Sequence, residues 1–261
     1  MTNAMFGFQN HALTGVLSAS ASVPGLGPDQ LATPHGATSA SWRTPAGTTS
    51  GWVLLDAGAP VEWGAFGLFN TNLTAAATVR WRVANTLPIT STVYDSGTLL
   101  FNVDPGYRYA VHFPPTITGR YMDLIISDPS NPAGFLRAAQ LYAGPVAQPA
   151  RNIGYDSVFS RAVDAPALMT RGGQEFPILR HTRRSWRISL PTLGENEVWP
   201  LVDALQLAAA DGRNVLFAPF PTGQQIARDV VFGRMTEPAP ITWPHPSPIR
   251  RAWSATITER L

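Results

Sequence analysis

The sequence predicts a mainly β protein in two parts, each a β-sandwich, the second carrying one α-helix. Short runs alternating apolar and polar residues recur between turn formers, the period-two pattern of half-buried strands. Charged residues make up only 14% of the chain, while Pro contributes 24 residues and Gly 22. That composition favours many turns between short strands over disorder driven by self-repulsion. Only one stretch has a convincing helical period. At 261 residues without Cys, the chain suits one large β domain or two ordinary ones, and buries enough surface to need no disulfide.

Residues 1–40 are small, polar and punctuated by Gly and Pro, as in VPGLGPDQLATPHGATSA, and are expected to form one or two strands and a long loop. Gly51–Asp56 (GWVLLD) reads as a strand ending at Ala57-Gly58, a turn signal. A strand over Val61–Phe69 follows and stops at Asn70-Thr71-Asn72. Thr78–Val83 alternates strictly, Val79, Trp81 and Val83 on one face and Thr78, Arg80 and Arg82 on the other, as a strand with one buried and one wet face requires. Further strands are expected at Thr92–Tyr94, Tyr109–Phe113, Arg120–Ile126 and Leu136–Tyr142. The turns between them are Asp95-Ser96-Gly97, Asp104-Pro105-Gly106, Pro114-Pro115 and Asp128-Pro129. About eight short strands at this spacing point to a sandwich or jelly roll.

Gly144–Pro149 has the composition of a linker. Beyond it, Arg184–Leu190 alternates with Trp186, Ile188 and Leu190 on one face. Val198, Leu201, Val202, Leu205 and Ala208 then recur at helical spacing, predicting a helix over about 197–209. Asn196 is placed to cap it, Pro200 falls early enough to be tolerated, and Asp211-Gly212 ends it. Strands return at Val215–Ala218, Asp229–Met235 and Arg251–Thr258.

The residue types exclude more functions than they suggest. All nineteen basic residues are Arg, and the net charge is +2, too small to imply a nucleic-acid partner. Thirteen of those Arg lie in residues 146–261, against six in 1–145, an asymmetry that suits either an interface or a solvated surface. The start of the chain lacks the basic and apolar regions of a signal peptide, and no window reaches a membrane span, so a soluble protein without membrane insertion is expected. The His residues 11, 35, 112, 181 and 245 are too scattered for a short metal motif, and no metal or cofactor is expected. No GxSxG elbow and no phosphate loop occur. Glu195 and Glu197 read as helix-start charges and Asp128-Pro129 as turn chemistry. A hydrolase built on Asp123 or Glu195 is the least favoured reading, and the chain is expected not to be an enzyme. Trp52 and Trp81 fall at apolar-phase positions and are expected in the core. The possible ligand contacts are Asp29, His35, Trp42 and Arg43.

Read in order, SASWRTP, GWVLLDAGAPVEWGAFGLFNTNL, ATVRWRV, VYDSG, GRYMDLIISD and FLRAAQLYAGP resemble the galactose-binding-like, discoidin-type jelly roll. The resemblance implies a jelly-roll domain over 1–145, with Asp56 and Gly58 as structural turn residues and ligands approaching loops at one end. RRSWRISLPTL, NEVWPLVDALQLAAADGRNVLFAPFP, VVFGRM and RRAWSATITERL resemble the distal-tail β-sandwich of long-tailed bacteriophages. That implies a linker over 146–154 and a second β-sandwich over 155–261. Together the two resemblances imply a non-enzymatic structural component of a phage tail tip or baseplate. Its partners would be other tail proteins and its own copies in a trimeric or hexameric ring, with a host surface glycan as a further ligand of the jelly roll. Its place would be the virion, after assembly in the host cytoplasm. Trp243, Arg250 and Arg251, near the Pro-rich stretch 238–248, are the expected assembly contacts. The rival expectation is a monomeric carbohydrate-binding or adhesion protein.

Overall fold

The computed structural model describes residues 2–34, 36–101, 109–178, 181–223, 225–236, 240–243 and 250–260. They divide into two compact units, residues 1–148 with 216–230, and residues 149–215 with 231–261. The turn expected at Asp104-Pro105-Gly106 lies outside the described residues, as does most of 238–248.

The first unit is a jelly-roll β-sandwich. Its strands are β1 (Met5–Gly7), β2 (Val16–Ala19), β3 (Trp42–Arg43), β4 (Ser50–Trp63), β5 (Ala65–Phe69), β6 (Thr78–Ala84), β7 (Tyr94–Asp95), β8 (Leu99–Leu100), β9 (Ala110–His112), β10 (Ile117–Ser127), β11 (Arg137–Ala138) and β12 (Gln140–Gly144). One antiparallel sheet runs β2-β4-β10-β6-β7, with β8 also on β6. A second runs β12-β5-β9, and β11 pairs with β3. Between the sheets lie fully buried Trp42, Trp63, Trp81, Phe66, Leu55 and Leu68. Phe66 stacks on Trp81 with ring centroids 5.3 Å apart and also meets Trp63. Burying rings of this size supplies the largest share of the apolar free energy, roughly 25 cal/mol for each Å² removed from water.

Three sequence expectations change here. The turn signal at Ala57-Gly58 does not end a strand. β4 continues through it as a bulge, with residues 57–60 set opposite Arg120 alone, because Val61 pairs with Gly119 and Asp56 with Tyr121. Gly58 takes φ +80 with open space around it, so the bulge turns on a backbone state that other residues rarely adopt. Asp56 pins it, accepting from Arg120 Nε at 2.8 Å, Arg120 Nη2 at 2.9 Å and the Gly58 amide at 2.8 Å. The run expected at Val61–Phe69 is divided at Gly64, whose amide donates to Gly144 at 2.9 Å, so the chain leaves one sheet for the other there.

The third concerns Trp52, expected in the core but 40% exposed. Val53 and Leu55 pair with Leu124 and Met122 on the buried face. Trp52 therefore shares the outer face with Asp56 and lies across from Ile125, itself opposite Arg80. Both phases of TrpValLeuLeu are apolar, so alternation within the strand could not choose between them.

The second unit holds β13 (Val158–Asp164), β14 (Ala167–Met169), β15 (Glu175–Pro177), β16 (His181–Gly194), β17 (Asn214–Ala218), β18 (Val231–Met235) and β19 (Arg250–Glu259). Antiparallel β18-β19-β16-β13 forms its sheet. β17 crosses out of the unit after Val215, and its last three residues pair with β1 in the first unit. Trp186, Ile188 and Leu190 pair with Ile257, Ala255 and Trp253, all six buried, as the alternation predicts. The register slips between Leu190 and Leu193, where Pro191 has no amide to give to the ladder.

The helical stretch is α1 (Glu195–Glu197), a wider π-helical turn over Val198–Asp203, and α2 (Ala204–Ala210). Pro200 lies inside the wide turn, where its missing N–H removes an ordinary helical bond. Gly194, not Asn196, is the N-cap; its amide donates to Glu197 Oε2 at 2.8 Å. Asp211 and Gly212, at φ +69, close the end as expected, with the amides of Asp211, Gly212 and Arg213 donating to Leu207, Ala209 and Ala208. Residues 226–229, expected partly as strand, form the helical turn α3 (Ile226–Asp229) before β18.

Candidate functional site

Ladder β3–β11 places Arg43 directly opposite Arg137 and Trp42 opposite Ala138. Side chains alternate across a strand, so the arginines share one face and Trp42 and Ala138 the other. The latter pair is fully buried, and Trp42 Nε1 donates to the Ala21 carbonyl at 3.2 Å. Trp42, expected as a ligand contact, is therefore a core residue.

Arg43 and Arg137 are half-buried. The Arg43 guanidinium lies 3.8 Å from the centre of the Phe135 ring, a cation–π contact that restrains it. Among the described residues neither arginine has a carboxylate partner. The Nε groups of both, and Nδ2 of nearby Asn70, are buried without a hydrogen-bond partner. Like charges set directly opposite across a ladder are destabilising, and each buried unmet donor costs about 1–3 kcal/mol.

The scaffold around the pair is well bonded. Asn72 donates to the Phe135 carbonyl at 2.7 Å and accepts from the Arg137 amide at 2.7 Å. Thr44 Oγ1 accepts from the Leu136 amide at 2.8 Å. Asp128, fully buried, accepts from the Thr74 amide at 2.9 Å, the Thr74 hydroxyl at 2.7 Å and Asn131 Nδ2 at 3.0 Å. It does more than form a turn with Pro129: it ties the loop after β5 to the loop after β10.

Of the other expected ligand contacts, Asp29 is exposed on the short helical turn Pro28–Ala32 and accepts from Gln30 Nε2 at 3.2 Å. His35 lies outside the described residues. Sequence reasoning missed Arg137, Phe135 and Asn70. Arg137 sits in a stretch read only as strand, and nothing local announces that its cross-strand neighbour is a second arginine.

The outer face of the large sheet carries charges of a different kind. Arg80 pairs with Asp95, Arg82 with Asp123 and Arg120 with Asp56. Asp123, itself buried, is thus committed to its ion pair with Arg82. Glu195 lies at the rim of a cavity of about 500 Å³ with Arg151, Glu197 and Arg250, where Glu197 accepts from the Gly194 and Ala150 amides. Among the described residues no group of three or more potential metal ligands comes together.

A second surface belongs to the second unit. Every described residue from 158 to 163 and from 166 to 178 is exposed. Leu168 is paired with Phe176 and Met169 with Glu175 in a hairpin turned by Gly173 at φ +80. Val158, Val163, Leu168, Met169, Phe176 and Ile178 are 47–73% exposed. The pair of glycines in ThrArgGlyGlyGln was the available hairpin signal. Of the expected assembly contacts, Trp243 is exposed and the Arg251 guanidinium lies 4.8 Å over its ring, while Arg250 is half-buried at the start of β19.

Comparison of the sequence with protein-family models and with curated proteins finds no match. Among solved structures, the chain is similar to the lectin domain of lectinolysin complexed with Lewis B antigen, at 15% identity and a TM-score of 0.42, covering 53% of this chain and 98% of that one. It is similar to a Streptococcus pneumoniae fucose-binding module, at 12% identity and a TM-score of 0.41, covering 52% and 94%. A third similarity is to chitosan-binding module 1 of a Paenibacillus chitosanase/glucanase, at 16% identity and a TM-score of 0.41, covering 52% and 99%. A Ruminococcus gnavus GH29 fucosidase in complex with fucose aligns at 12% identity and a TM-score of 0.42 over 53% of this chain, which spans only 27% of the fucosidase.

Proposed function

We propose that this chain is a non-enzymatic structural subunit of a long-tailed phage tail tip or baseplate. It joins its own copies in a ring, contacts other tail proteins, and resides in the virion. The observation that carries the reading is the run 158–178, apolar in much of its length and exposed almost throughout. A lone soluble chain rarely exposes so long an apolar element, and such surfaces mark places where another protein packs. A head-to-tail contact of this kind closes into a ring when the rotation per subunit closes. Arg251 stacked on exposed Trp243 offers a second contact rich in the residues that interfaces favour.

The jelly roll is presented by that assembly. A second reading, a monomeric carbohydrate-binding protein, is favoured by one specific observation: the Arg43–Arg137 corner has donors to spare and no partner for them. Light scattering on the purified chain separates the two. A discrete trimer or hexamer supports the structural subunit, and a monomer that retains a saturable glycan supports the second reading.

A further inference from the structure

We propose that Arg43 and Arg137 form an oxyanion site in the first unit, which takes a carboxylate or sulfate carried by a small ligand. The two arginines stand on one face of a two-residue ladder, directly across from each other. That register sets like-charged residues opposite each other and, left alone, works against the fold. It is stabilised when an anion lies between them.

Three further observations agree. Asp56, Asp95 and Asp123 on the first unit's large sheet are already committed to other arginines, so this pair stands apart from the Arg80–Asp95, Arg82–Asp123 and Arg120–Asp56 pairs. Arg43 is restrained by its contact with the Phe135 ring, which lowers the ordering cost of a fork-shaped contact to a planar carboxylate. Asn70 takes φ +52, in the left-handed region, and its side-chain amide is buried and unpartnered. Asn70 lies in the segment between Phe69, which pairs with Gln140, and Asn72, whose amide donates to the Arg137 carbonyl at 3.2 Å. Its backbone segment thus runs next to that of Arg137.

The shared chemistry is a small oxyanion, and the probes distinguish its source. Inorganic sulfate, free D-glucuronate and neutral D-glucose are each titrated into the whole chain by calorimetry at constant ionic strength. The same titrations are run on Arg137→Gln and Arg43→Lys. Saturable binding of sulfate, glucuronate or both is expected, with no binding of glucose. Sulfate alone identifies a sulfate ester as the group recognised, and glucuronate alone a sugar carboxylate. Arg137→Gln is expected to weaken Kd at least tenfold, and Arg43→Lys to weaken glucuronate more than sulfate because Lys cannot make the forked contact.

A thermal readout separates this role from a structural one. In low-salt buffer free of both anions, Arg137→Gln is expected to melt no lower than the parent chain, because it removes a like-charge opposition. Glucose binding as tight as glucuronate would overturn the proposal. So would equal anion affinity in parent and Arg137→Gln, no response of the parent to either anion at concentrations on the order of 10 mM, or a clear drop in Tm for ligand-free Arg137→Gln.

Discussion

Asp128, fully buried, and His112, half-buried, are single polar groups on which the first unit's stability depends. Asp128 collects three hydrogen bonds from Thr74 and Asn131. Asp128→Ala takes the acceptor from buried Asn131 and half-buried Thr74 and is expected to cost about 2–3 kcal/mol, read as a lowered urea midpoint with an unchanged slope. His112 Nε2 lies 2.6 Å from the Tyr94 hydroxyl, and burial lowers the His112 pKa below its ordinary value. His11, packed edge-on against Trp63, is lowered by burial as well. The unfolded chain takes up these protons near pH 6.5 and the folded chain resists them until lower pH. Their contribution is therefore complete above about pH 6.5 and is lost as pH falls through the lowered folded-state values. Urea midpoints measured between about pH 7.5 and pH 5 are expected to fall on acidification. The fall should be shallower in His112→Gln, and an unchanged profile would remove His112 from the account.

At the scale of elements, strand parity was legible wherever one phase was polar and the other apolar. Thr78–Ala84 buries Val79, Trp81 and Val83 as its alternation requires, and β16 does the same with Trp186, Ile188 and Leu190. The ambiguous strand was β4, where the parity of Asp56 carried the only local sign that Trp52 faces outward. The β4 bulge was not legible, because AspAlaGlyAla reads equally as a hairpin turn and as an insertion. Only the partner strand decides between them, and Arg120 is 64 residues away from Asp56. The candidate site was illegible for the same reason. Arg43 could be singled out beside Trp42, but Arg137, its ladder partner, is 94 residues away in sequence. Gly58 makes the bulge testable on its own. Open space surrounds it, so Gly58→Ala meets no clash and bears only the left-handed backbone cost, about 1–2 kcal/mol. A loss near zero would mean that the bulge relaxes into a different register.

At the scale of the whole molecule, the two units differ in how they finish their surfaces. The first buries its aromatic rings between sheets and covers the outer face with Arg–Asp pairs. The second has a buried sheet core, anchored by Arg184 and Glu259 in an ion pair at 2.7 Å with both groups almost fully enclosed. It then extends a hairpin whose apolar side chains meet nothing that hides them from solvent. An ion pair of that kind stabilises only when complete, so the sheet core is built to persist while the hairpin is left to be covered. The expected consequence is an association that depends on the hairpin and not on the fold. Leu168→Asp with Phe176→Asp, which pair directly across the hairpin, should leave circular dichroism and Tm close to those of the parent chain, because both side chains are already exposed. In light scattering the parent is expected at trimer or hexamer mass and the double variant at monomer mass. If both run at the same oligomeric mass, the ring is built by another surface, and Trp243 with Arg251 becomes the next pair to substitute. If both run as monomers, the hairpin does not join copies of this chain in solution, and the proposed ring fails for the isolated chain.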